Sequence, residues 1–156
     1  MQRYTWFFSL PTPLDAAQAA TLQQDFDRFA AQWKSHGTPV EGMIGIRYGQ
    51  FIVARAQPDS ERPSGCSIDS LRRGIEQILQ RHGLAWAEAA IVFYRDAGGA
   101  VQHADFRQIP TLVAAGTLTG DTIVFDHTLG QSDDLSQWEL PLKQTWLKRY
   151  LPAIPV

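Results

Sequence analysis

The chain has 156 residues, of which 44% are apolar and 19% charged, and its formal net charge at pH 7 is -2. This length and composition predict one globular domain, or one domain with a short appendage, and exclude a disordered or fibrous chain. Because there is no basic excess, we expect neither nucleic-acid binding nor attraction to anionic membranes.

The first predicted elements are a strand and a helix. Tyr4 to Leu10 is an aromatic and apolar run that stops at prolines, as a buried strand would. Thr12-Pro13-Leu14-Asp15 has the pattern of a helix start, with threonine as the cap. We expect the helix to end at His36-Gly37, where glycine terminates it. Its apolar residues recur at helical spacing: Leu22, Phe26, Phe29 and Trp33.

A hairpin, a second helix and a further strand follow. Gly42 to Tyr48 and Gln50 to Ala56 are short β-prone runs that meet at Gly49. A second helix is predicted to end at His82-Gly83, and a strand is predicted over Ala90 to Arg95. The apolar stripe of this helix consists of Ile68, Leu71, Ile75, Ile78 and Leu79.

These elements form a repeated pattern. Tyr48 lies 12 residues after His36 and Tyr94 lies 12 residues after His82, and each tyrosine closes an apolar run. The order predicts an α+β protein with a ferredoxin-like βαββαβ unit over residues 1–97, in which both helices cover one face of a four-stranded antiparallel sheet. Coincidence is the alternative, because glycine after a helix is common and the helix dipole favours a cation there.

Residues 98–156 are predicted to form a C-terminal α/β appendage packed on this unit, because they contain too few apolar residues to fold alone. We expect a strand at Val101 to His103, a helix at Ile109 to Ala115 and a strand at Thr122 to Phe125. Leu112 to Val124 resembles part of a small bacterial adaptor module of the GYF-2 type, over residues 106–126. The alternative is a helix, a tight turn and an edge strand.

Several stretches together resemble an uncharacterised bacterial protein family of Bacteroidetes type. The stretches are QWKSHG (32–37), IRYGQFIVA (46–54), SGCSIDS (64–70), DTIVFD (121–126) and WELP with a later TW (138–146). Members of that family carry labels such as ABC transporter ATPase, and the resemblance implies no established activity. We reject ATP hydrolysis, since a P-loop needs a Gly-Lys pair and the sequence contains none.

Metal, acid-base and RNA sites have little support in the sequence. The histidines at 36, 82, 103 and 127 show no ligand spacing, so we expect no metal and no cofactor. His36 and His82 are interpreted as helix-terminating residues, and Asp25 and Asp27 as solvated side chains on the exposed face of the first helix. Arg47 to Ala54 matches an RNA-binding strand motif only in part, and Phe51 and Val53 are interpreted as residues of the core face.

The best candidate site is the SGCSIDS stretch. It contains the only cysteine of the chain, and a single cysteine cannot form an internal disulfide. A helix start exposes unpaired N–H groups and partial positive charge, which suit an anion and favour a thiolate. Asp69 opposes both effects, and the alternative is a helix capped by Ser67 beside a structural Cys66. The predicted ligand-binding residues are Gly65, Cys66, Ser67, Asp69 and Ser70.

The sequence therefore predicts a non-enzymatic domain that binds a small anionic ligand or a protein. The alternative is a small enzyme that uses Cys66 as a nucleophile or redox thiol. We also expect a homodimer, because ferredoxin-like sheets pair through an edge or an open face. The chain shows no signal-peptide pattern and no long apolar segment, so we expect a cytoplasmic protein.

Overall fold

The structure is a computed structural model that describes residues 4–35, 38–39, 41–57, 65–87, 90–127 and 135–152. Within this part the chain is a mixed α+β protein with two main antiparallel sheets and three α-helices. It divides into two compact units, the first with the described residues up to Ala87 and the second with those from Ala90 onward. No described helix is both long enough and apolar enough to cross a membrane.

The first unit contains a three-stranded sheet and two long helices. The strand order is β1-β5-β4, and β5 runs antiparallel to both neighbours, with Ile52 opposite Phe8 on one side and Ile46 on the other. A short ribbon of β2 and β3 precedes β4. The elements are β1 (Tyr4–Ser9), α1 (Ala16–Gln32), β2 (Lys34–Ser35), β3 (Thr38–Pro39), β4 (Glu41–Arg47), β5 (Phe51–Gln57) and α2 (Gly65–Arg81).

Both helices of the first unit share one hydrophobic core with the sheet. Because side chains alternate along a strand, Ile44, Ile52 and Ala54 lie on one face of the sheet, and they belong to the same buried cluster as residues of α1 and α2. The helical members are Leu22, Phe26, Leu71, Ile75, Ile78 and Leu79, with Phe29 packed against them. Phe51 and Val53 are also buried, but the alternation places them on the opposite face of the sheet.

Helix α1 begins and ends at other residues than the sequence pattern predicts. Asp15, not Thr12, is the cap, and it forms a capping box with Gln18. The helix stops at Gln32 because Trp33 has an extended backbone, and the Trp33 ring is 2% exposed. The prediction that α1 ends at His36-Gly37 is wrong, although these two residues themselves lie outside the described part of the chain.

Helix α2 ends as predicted at His82-Gly83. Gly83 has a φ of 70°, its N–H donates to Gln80 and the Leu84 N–H donates to Leu79, which together form a Schellman motif. The His82 ring also reaches α1, with 2.7 Å between His82 Nε2 and Asp25 Oδ2. The interpretation of Asp25 as a solvated side chain is therefore wrong, since it joins the two helices.

The second unit contains a four-stranded antiparallel sheet of order β7-β6-β8-β9. Its elements are β6 (Ile91–Arg95), β7 (Val101–Asp105), α3 (Ile109–Ala114), β8 (Ile123–Phe125) and β9 (Glu139–Pro141). The strands predicted near Val101 and Thr122 and the helix at Ile109 are confirmed, whereas β9 had no sequence signal. Tyr94, Ile109, Leu118, Val124, Leu142 and Leu147 form the centre of a separate buried cluster.

The strand order does not confirm the ferredoxin-like arrangement. The predicted first, second and third strands are β1, β4 and β5, and β5 lies between the other two as that arrangement requires. The predicted fourth strand, β6, pairs instead with β7 and β8. Beside β1, the chain after α2 donates one backbone hydrogen bond, from Ala87 to Ser9 at 2.6 Å. β6 forms a hairpin with β7 along its full length, a local pairing that has a smaller loop-closure cost than a distant one.

Candidate functional site

The predicted site at the start of α2 is described only in part. Gly65 already belongs to the helix, so Ser67 lies inside the first turn and is not the cap. The side chains of residues 65–68, including Cys66, lie outside the described part of the structure. Asp69 is exposed and Ser70 is half-buried. The predictions of an anion site and of thiol chemistry therefore stay predictions.

A groove of about 540 Å³ lies in the second unit, where β6 and β8 separate. In the described part of these strands the ladder pairs Tyr94 with Val124 and continues no further. Beyond this pair, residues 90–92, at the start of β6, and residues 125–127, at the end of β8 and just after it, line the groove. The volume is within the range of sites for small molecules, about 300–1,000 Å³.

Aromatic side chains form much of the groove wall. Phe106 is 39% exposed and follows the end of β7, where the Asp105 carboxylate caps a short 3₁₀-helix, Phe106–Gln108. Trp146 is 47% exposed and begins another 3₁₀-helix, Trp146–Tyr150. The Tyr150 ring lies edge-on to Trp146, with 6.4 Å between centroids. Exposed rings of this kind can stack on a flat apolar ligand.

The 3₁₀-helix at Trp146–Tyr150 is fixed by a buried hydroxyl. Thr145 Oγ1 donates to the Leu142 carbonyl at 2.8 Å and accepts from the Leu147 N–H at 3.2 Å. Leu147 is 2% exposed and belongs to the core of the second unit. The backbone position of Trp146 between these two anchored residues is therefore set by the fold, and its ring lines the groove.

His127 and Asp126 supply polar groups to the groove. Burial lowers the pKa of His127 to about 4, against the opposing effect of the Asp126 carboxylate. His127 is consequently neutral at pH 7, and its imidazole lies near the Trp138 and Phe93 rings, each at 6.2 Å between centroids. At the rim the Arg149 guanidinium lies 5.7 Å from the centre of the Tyr150 ring.

Metal ligands do not converge in the described part of the chain, where no three His, Cys, Asp or Glu side chains come together. His82 binds Asp25, and the His103 ring lies near Phe93. The expectation that the protein holds no metal stays a prediction, because residues 36–37 and the Cys66 side chain are not described.

Sequence analysis did not identify the groove. Its residues come from four separate segments, at 90–92, 106, 124–127 and 145–150. The one available signal was the presence of Trp146 and Tyr150 in a polar tail, where aromatic residues have no strand or long helix to pack into. No known protein family, curated protein or solved structure gives a match to this chain.

Proposed function

We propose that this protein is a non-enzymatic binding protein, and that the groove between β6 and β8 takes a small ligand with a flat apolar ring. The observation that carries the proposal is the combination of a 540 Å³ space with two exposed rings, Phe106 and Trp146, on its wall. A neutral His127 provides a hydrogen-bonding group without the cost of a buried charge.

The proposal is tested by titrating 2-naphthol into the ¹⁵N-labelled protein and following amide chemical shifts. We expect shifts at residues 90–92, 124–127 and 145–150. The Trp146→Ala variant should bind about fivefold more weakly, since a stacked ring contributes about 0.5–1.5 kcal/mol.

Tyr48→Ala is the matched control, because Tyr48 is 51% exposed and lies in the first unit, outside the groove. Equal affinity of both variants and the wild type, or shifts confined to other residues, would overturn the proposed site. Cyclohexanol, which has no aromatic ring, should bind more weakly than 2-naphthol.

The remaining sequence-based proposals stay untested. They are the anion site formed by Gly65, Cys66, Ser67, Asp69 and Ser70, the alternative enzyme with a Cys66 thiol, a cytoplasmic location and the resemblance to the SGCSID family. We also propose that the chain forms a homodimer.

A further inference from the structure

The outer edge of the first sheet is formed by β4. Gln23 Nε2, from α1, donates to the Ile44 carbonyl at 2.7 Å, which shows that this carbonyl points away from β5. Backbone N–H and C=O groups alternate in direction from one residue of a strand to the next. Those of Gly42 and Ile46 therefore point to the same side as those of Ile44. β4 therefore presents three residues that can pair with another strand.

The charged side chains of β4 are evenly spaced about Ile44. Glu41 and Arg47 are exposed at the two ends, each three residues from Ile44 and of opposite charge. Neither forms an ion pair within the described part of the chain. If a second β4 lies antiparallel with Ile44 opposite Ile44, each Glu41 faces an Arg47 of the other copy.

The next pair inward, Met43 and Gly45, is complementary in shape. Met43 is 71% exposed, and Gly45 has open space where a side chain would stand, with no atom within 4 Å. Met43 and Gly45 lie on the same face as the two charged residues, because all four are odd-numbered positions of one strand. In the same antiparallel register, Met43 of each copy lies over Gly45 of the other and fills that space.

The edge also has room for another strand. A groove of about 530 Å³ runs between α1 and β4, lined by Gln23, Asp27 and residues 41–45 among others. Gln23 also donates to Asp27 at 2.8 Å, which holds it on the helix side. A carbonyl oxygen has two lone pairs, so Ile44 can accept from a second strand while keeping the bond from Gln23.

We infer that a second copy of this chain adds to the β4 edge as an antiparallel strand, with the two Ile44 residues on the two-fold axis. This inference rests on the proposed homodimer and names its interface. A shift of the register by two residues would place Met43 opposite Arg47 in one direction and opposite the Met43 of the other copy in the other direction. Either shift would separate every Glu41 from Arg47. The charges therefore select the register that is centred on Ile44.

Sedimentation velocity over a range of protein concentrations tests the interface through charge reversal. Glu41→Lys brings the new ammonium group opposite Arg47, and Arg47→Glu brings the new carboxylate opposite Glu41. Each change should therefore weaken the dimer about tenfold. The double variant, Glu41→Lys with Arg47→Glu, restores opposite charges and should dimerise as the wild type does. Circular dichroism and urea unfolding check that each variant is folded.

Mixing the two single variants gives a second test. At one end of the interface the ammonium group introduced by Glu41→Lys then faces the carboxylate introduced by Arg47→Glu, and at the other end the native Arg47 faces the native Glu41. The mixture should therefore form heterodimers more readily than either variant forms homodimers. Positions 41 and 47 lie at opposite ends of one strand, so this rescue cannot arise inside a single chain.

The outcomes separate the inference from the proposals on which it stands. A wild type that stays monomeric at all concentrations overturns both the interface and the homodimer. A dimer that is unaffected by all of these charge arrangements overturns the β4 interface alone and leaves the homodimer. Binding of 2-naphthol in the second unit is independent of either result.

Discussion

At the scale of single residues, the close approach of Gly74 and Phe29 constrains the packing of the two helices. Gly74 is buried in α2, and a Cβ atom at this position would overlap the Phe29 ring of α1. Glycine in a helix costs about 1 kcal/mol relative to alanine. Its presence here is explained by the ring, which needs the space that a methyl group would occupy.

We therefore predict that Gly74→Ala destabilises the protein by about 1–2 kcal/mol, even though alanine favours the helix. Overpacking a filled core costs about 1–3 kcal/mol, and the gain in helix propensity offsets part of this cost. Urea unfolding followed by circular dichroism measures the change. Adding Phe29→Leu to Gly74→Ala should recover part of the loss, and a Gly74→Ala variant more stable than the wild type would contradict the packing.

At the scale of elements, α1 and α2 are joined by the pair of Asp25 and His82. The hydrogen bond from His82 is the main cause that lowers the pKa of Asp25 below its ordinary value of 3.8, with further help from Arg81 and Arg28. A carboxyl with a lowered folded-state pKa stabilises the protein above its unfolded-state pKa. This stability is lost as the pH falls through the lower folded-state pKa.

We predict that Asp25→Asn lowers the urea midpoint at pH 7, and that the difference from the wild type shrinks as the pH falls below about 3.8. Urea unfolding at a series of pH values measures it. Asp27→Asn is the control, because Asp27 lies on the same helix and is exposed. A difference that is the same at pH 7 and in acid would show that the Asp25 charge has no part in joining the helices.

Local sequence patterns predicted the elements better than their ends and partners. The end of α2 was predictable because Gly83 adopts the left-handed conformation that a Schellman motif requires. The end of α1 was not, since burial of the Trp33 ring in the core stops the helix before the His36-Gly37 pair. The second His-Gly pair therefore ends its helix, whereas α1 ends at Gln32, before the first pair.

The sequence also did not predict every pairing between strands. The two β-prone runs and the glycine between them indicated a hairpin, and Tyr48 and Gly49 both adopt the positive φ that a tight hairpin turn uses. For β6, the sequence could not decide between a distant pairing with β1 and a local pairing with β7. The Asp96 side chain, which accepts from Gly98 and Ala100, stabilises the local turn.

At the scale of the whole molecule, the proposed site depends on where the chain brings separate segments together. Phe106, His127 and Trp146 are distant in sequence, and none of them indicated a site by itself. Their meeting follows from the separation of β6 and β8 beyond Tyr94 and Val124, a feature that hydrophobic periodicity does not encode. The prediction of a site at Gly65 to Ser70, by contrast, could be made from the sequence because it needs one segment only, and it stays a prediction.

The acid stability of the whole molecule should depend on His127. Its folded-state pKa of about 4 lies below the ordinary value of 6.5, so between these values the unfolded chain binds a proton that the folded protein does not. Lowering the pH from 6.5 to 4 should therefore reduce the free energy of unfolding by about 3 kcal/mol, and the loss from this group should level off in stronger acid.

Two variants separate the contribution of His127 from that of the other titrating groups. In His127→Gln this part of the pH dependence should disappear, whereas His103→Gln, which changes an exposed histidine, should keep it. Urea unfolding at half-unit steps of pH measures the three curves. Because the effect arises from the buried imidazole alone, a His127→Gln curve as steep as that of the wild type would show that this ring is accessible to protons in the folded protein.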